Sequence, residues 1–170
     1  MKNDQRIVAI GAAGGAVMMV ASVLALTYAM PIPMITDAIP ARLAYALAAN
    51  VFAILPFFIM LVVVSNERFL SNAIDPTRHA ENARMEIDGR VADNTLQQNF
   101  IFAVATLALA TIVPFQYLQV ICACAICFVI ARCIFWLGYR LNPLYRAPGM
   151  AATSYMNFFI ILYVLYQVFI

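Results

Sequence analysis

An arginine set within an apolar run is the feature of this sequence best suited to chemistry. Arg132 precedes Tyr139 by seven residues, inside a run over 119–139. At 1.5 Å per residue it sits about 10 Å below the end of that run. An ionised side chain there costs on the order of 3 kcal/mol or more, and by default it marks function. No Asp or Glu lies within an apolar run to neutralise it. Two readings stand side by side. In the first, Arg132 snorkels, or bonds structurally to Asn94, Gln97 or helix carbonyls. In the second, it forms an anion site for a carboxylate or thiolate.

Other polar residues gather toward the same ends of their runs. Arg90, Asn94 and Gln97 are spaced by four and then three residues, so they share a helix face. Tyr139 repeats the face of Arg132 two turns later, and Arg140 and Arg146 flank the loop that follows. Ser154 and Tyr155 enter the last run. Arg90 and Arg146 also admit a plainer reading, as anchors on anionic lipid. Tyr163 and Tyr166, at the far end, fit an interfacial belt. Cys122, Cys124, Cys127 and Cys133 share one apolar run and read as packing residues, although Cys124-x-x-Cys127 has a redox or metal spacing. The sequence carries no nucleotide-binding glycine loop, no Ser-His-Asp arrangement and no metal cluster, so no metal is expected. His79 reads as a solvated loop histidine.

The elements that position these residues are membrane spans. Hydrophobic residues make up 65% of the chain and charged ones 11%, against roughly 45–50% and 25% in soluble proteins. Five runs are long enough to cross a bilayer: about 7–30, 41–64, 95–118, 119–139 and 149–170. The sequence therefore predicts an all-α integral membrane protein. Pro56 is expected to kink the second span, and the third and fourth form a hairpin turning near Pro114 to Gln119. Gly11 and Gly15 form a G-x-x-x-G in the first span, a spacing that permits close helix contact. A polar segment spans 65–93, where Asp75-Pro76 is expected to start a short helix reaching Asp88 and broken by Gly89.

Orientation follows from the basic residues. With a cytosolic N-terminus, Lys2, Arg6, Arg68, Arg78, Arg84, Arg90, Arg140 and Arg146 face inward and Arg42 alone faces outward. The C-terminus then emerges on the outer side, in a bacterial inner membrane by expectation. A net charge of +2 is too mild to argue for nucleic acid.

Two stretches resemble the MAPEG superfamily, the membrane-associated proteins in eicosanoid and glutathione metabolism. Arg90-Val-Ala-Asp-Asn-Thr-Leu-Gln-Gln-Asn-Phe100 is similar to the family's basic, Asn-x-x-Glu-containing helix entry. Ala131-Arg132 through Gly138-Tyr139 to Arg146-Ala-Pro-Gly149 is similar to its third and fourth helices and their loop. The resemblance implies a four-helix membrane domain over 41–170, preceded by an added transmembrane helix and outer loop over 1–40. It further implies a homotrimer binding glutathione between subunits near the cytosolic face. Arg90, Asn94, Gln97, Arg132, Tyr139 and Arg146 become the implied ligand contacts, and Arg132, Arg146 and Tyr155 the implied catalytic groups. Three positions depart from the pattern: Gln97 replaces the Glu, Asp93 replaces a basic residue, and Met150 stands where an arginine usually opens the last helix.

Two functions follow. One is a glutathione-dependent transferase or peroxidase acting on lipophilic substrates. The other is a non-catalytic accessory or lipid-binding subunit of a larger membrane complex, which the three departures and the added helix favour. A small transporter has less behind it, because no span holds an acidic residue for proton coupling.

Overall fold

The structure is a computed structural model that describes residues 2–75, 77 and 80–170. Pro76, Arg78 and His79 lie outside the described residues. Among the described residues six α-helices carry the fold: α1 (Asn3–Ala29), α2 (Ile39–Ala53), α3 (Leu55–Phe69), α4 (Ala83–Ile112), α5 (Val120–Leu141) and α6 (Ala147–Phe169). Short 3-10 turns at Phe115–Tyr117 and Pro143–Arg146 join α4 to α5 and α5 to α6. Among the described residues five segments are long and apolar enough to cross a membrane, with α2 and α3 together forming one of them.

Where a kink is expected at Pro56, the segment is divided into two helices. Pro56 has no amide hydrogen to offer the Phe52 carbonyl, and the helix restarts at Leu55 with Ile54 as its cap. The halves stay coupled: the Ile54 amide donates to Asn50 at 3.0 Å, and its carbonyl accepts from Phe58 at 3.1 Å.

The polar segment differs from expectation. The expected start at Asp75-Pro76 lies partly outside the described residues; residues 80–82 are not helical, so no single helix joins Asp75 to Asp88, and Gly89 ends none. The Thr77 amide and hydroxyl both donate to Asp75 Oδ1, at 3.0 and 2.6 Å, in a local turn. Asn82 caps α4, its side chain accepting from the Met85 amide at 2.9 Å, and α4 continues through Gly89 to Ile112. A glycine inside a helix costs only about 1 kcal/mol. Asp88, fully buried and bonded across to α5, offsets that cost.

α6 packs between α1 on one side and the α4–α5 hairpin on the other, while α2 and α3 cover the remaining faces of that hairpin. The main core joins Ala46, Ala49 and Ala53 of α2 to Phe102 and Leu109 of α4 and Phe128 of α5. The Phe102 and Phe128 rings meet at 4.6 Å. A smaller cluster of Met60, Val91, Ala92, Phe135 and Tyr139 lies toward the other end of the hairpin. α1 and α6 run parallel: Gly11 and Gly15 abut Pro148 near the start of α6, and Gln119 Nε2 donates to the Thr27 carbonyl at 3.2 Å near the end of α1. The starts of α1, α4 and α6 therefore share one end of the bundle, together with Arg68, Arg84, Arg90, Arg140 and Arg146. Arg42 lies at the opposite end, donating to the Val113 carbonyl and pairing with Asp37 at 3.6 Å.

Candidate functional site

Arg132 is wholly buried. Its Nη1 donates to Asn94 Oδ1 at 2.9 Å; its Nη2 donates to the Gly149 carbonyl at 3.3 Å and to Thr153 Oγ1. The guanidinium also lies 4.4 Å from the Phe135 ring centroid. Every one of these partners is neutral, and Nε has none among the described residues. A buried charge of this kind is normally compensated by an opposite one. Among the described residues no carboxylate pairs with it.

Regular helix geometry assembles this cluster. Gly149 and Thr153 are one turn apart on α6, so they present a carbonyl and a hydroxyl to α5 together. Gly149 lets α6 approach closely, since a Cβ there would meet the Ala131 carbonyl oxygen at 2.4 Å and the Phe135 nitrogen at 2.5 Å. One turn farther along both α4 and α6 a second polar rung forms, where Asn157 Nδ2 donates to Gln98 Oε1 at 2.9 Å.

Toward the basic end a ladder of rings continues from Arg132. Phe135 meets Tyr139 edge to face at 5.9 Å, and the Arg146 guanidinium lies 4.9 Å from the Tyr139 ring centroid. Arg146 Nη1 also donates to the Tyr139 hydroxyl at 2.8 Å. Arg140 is committed elsewhere. It grips Asp88 with Nε at 2.8 Å and with Nη2, while Trp136 Nε1 donates to the same carboxylate at 2.7 Å. That carboxylate belongs to α4, yet it neutralises Arg140 and leaves Arg132 uncompensated.

The structure thus brings Arg132, Asn94, Tyr139 and Arg146 into one connected region. It leaves others on the outer surface. Arg90 is exposed, with Glu86 at 3.8 Å, and Asp93 and Gln97 are exposed beside it. Met150 is partly exposed, and Tyr155 lies on an outward face of α6, stacked on Phe159 at 6.4 Å. Sequence reasoning missed Thr153, Gly149, Asp88 and Trp136. The four-residue spacing of Gly149, Thr153 and Asn157 was a readable signal for the α6 stripe. Asp88 carried none, because its partners lie about fifty residues away.

Neither the curated proteins nor the solved structures hold a match to this chain. The model of the MAPEG family matches residues 41–166, which hold α3, α4 and α5 whole and all but the outermost residues of α2 and α6. With five apolar segments of spanning length and that match over most of its length, the chain is an integral membrane protein and belongs to the MAPEG family.

Proposed function

We propose that this protein binds glutathione at the basic end of α4, α5 and α6 and acts as a transferase or peroxidase on lipophilic substrates. In this reading it is a homotrimer of a bacterial inner membrane, with its N-terminus and basic end cytosolic and its C-terminus outside. The observation that carries the reading is the uncompensated Arg132 guanidinium.

The residues present fit the ligand. Bound glutathione would supply a thiol that adds to a lipophilic electrophile or, with a second glutathione, reduces a hydroperoxide to its alcohol and water as the two thiols become a disulfide. Its two carboxylates suit the guanidinium of Arg90, which is exposed, and that of Arg146, whose partner Tyr139 is neutral. Asn94 is half-buried, and Arg132 occupies its amide oxygen, so its amide hydrogens are left to donate outward. Gln97 would accept from the ligand's ammonium without the charge of a glutamate. Arg132 is enclosed, so its part is to fix Asn94 and to add positive potential that favours a thiolate. Because Arg90 and Gln97 face outward from one protomer, a neighbouring copy would supply the second wall. Tyr155 would contribute its hydroxyl only across such an interface.

Purified protein should bind glutathione, and Arg132→Ala should weaken that binding at least tenfold. If the wild type shows no binding in equilibrium dialysis, the reading fails.

A second reading is favoured by the outer positions of Asp93, Gln97 and Met150, where the ligand-facing charges of the family pattern are altered. In it the chain is a non-catalytic accessory or lipid-binding subunit. It should then co-purify at fixed ratio with a larger membrane complex. Recovery only as a free homotrimer with turnover would exclude it.

A further inference from the structure

α1 precedes the family-matched residues, yet it touches the candidate site through backbone atoms. A Cβ built on Gly15 would lie 2.2 Å from the Pro148 carbonyl oxygen and 2.8 Å from the Pro148 Cα. The following residue, Gly149, has its other side against the backbone of Ala131 and Phe135, which flank Arg132 in α5. The first turn of α6 is therefore clasped between two helices, backbone against backbone at Gly15 and at Gly149, while at Gly11 α1 meets the Pro148 ring. That turn bears the carbonyl bonded to Arg132, and Thr153 follows one turn later. Arg146 precedes Pro148 by two residues.

We propose that α1 is a brace for the Arg132 site and that Gly15 is its positioning residue. The contact is backbone on backbone, so an added carbon cannot be absorbed by turning a side chain. α1 cannot simply swing away either. Met19, one turn beyond Gly15, is buried in the main core, and the Thr27 carbonyl is tied to Gln119. A Cβ at position 15 therefore displaces Pro148, and with it the Gly149 carbonyl and Thr153 hydroxyl that hold Arg132. Gly14 provides the matched control, because a Cβ there meets no atom within 4 Å.

The significance of the brace for ligand binding rests on the glutathione reading, but its effect on Arg132 does not. The experiment uses full-length protein with isotope-labelled arginine, and Arg132→Lys assigns the Arg132 guanidinium resonance by its loss. Gly15→Ala should shift or broaden that resonance, and Gly15→Val should do so further, while Gly14→Ala and Gly14→Val should leave it unchanged. Glutathione affinity should fall at least tenfold in Gly15→Val and hold in the Gly14 variants. If Gly15→Val does not fold, Gly15→Ala carries the test. An Arg132 resonance in Gly15→Ala identical to wild type overturns the proposal, whether or not thermal stability has fallen. Absence of glutathione binding in the wild type would count against the glutathione reading alone, since the resonance still decides the brace.

Discussion

Arg132 and Arg140 are eight residues apart on one helix and meet opposite electrostatic fates. Arg140 has a carboxylate, held by two hydrogen bonds from the guanidinium and one from Trp136. Removing one partner of a buried pair leaves the other charge stranded, at about 3 kcal/mol or more. Arg140 keeps 24% of its side chain exposed, so Asp88→Asn is expected to cost less, about 1–3 kcal/mol, measured by unfolding in detergent, with the basic end of α4 loosening first. Arg132 has only neutral acceptors, so Arg132→Met, similar in length and apolar, is expected to lower stability much less than Asp88→Asn. A stability loss equal to that of Asp88→Asn would show Arg132 to be chiefly structural. The sequence revealed Arg132, because a charge in an apolar run stands out without any partner. It could not reveal Asp88 as a buried ion-pair member, since that role depends on the register between α4 and α5.

At the scale of elements, local rules were legible where one residue decides the outcome. Pro56 breaks its helix because no neighbour can supply the missing hydrogen. Gly89 does not break α4, because the anchoring of Asp88 and the Asn82 cap outweigh one glycine's cost. The groups that anchor Asp88 lie on α5, beyond the reach of a local rule. The Gly11–Gly15 spacing announced a close contact without naming its partner, which proves to be the start of α6. Gly149→Ala puts a methyl group 2.4 Å from the Ala131 carbonyl oxygen. The α5–α6 contact should then open at a cost of about 1–3 kcal/mol, as for overpacking. A melting temperature equal to wild type would refute that close contact.

For the whole molecule, composition and the spacing of apolar runs were enough to give a five-span membrane bundle. The arrangement of α1 beside α6 was not, because several faces of an apolar helix are equally greasy. The candidate site was legible in its arginines and in Asn94, whereas the α6 acceptors showed only as the four-residue spacing of Gly149 and Thr153, with nothing to tie them to Arg132. Arg90 and Gln97 face outward, so the proposed glutathione site would be completed by a second copy at the basic end. The most direct measurement is an experimental structure of the wild-type assembly with glutathione added. The expected result is a trimer with tripeptide-shaped density against Asn94 and Arg146 at a subunit interface. A lipid headgroup or packed side chains in that place, with no tripeptide anywhere in the assembly, would contradict it.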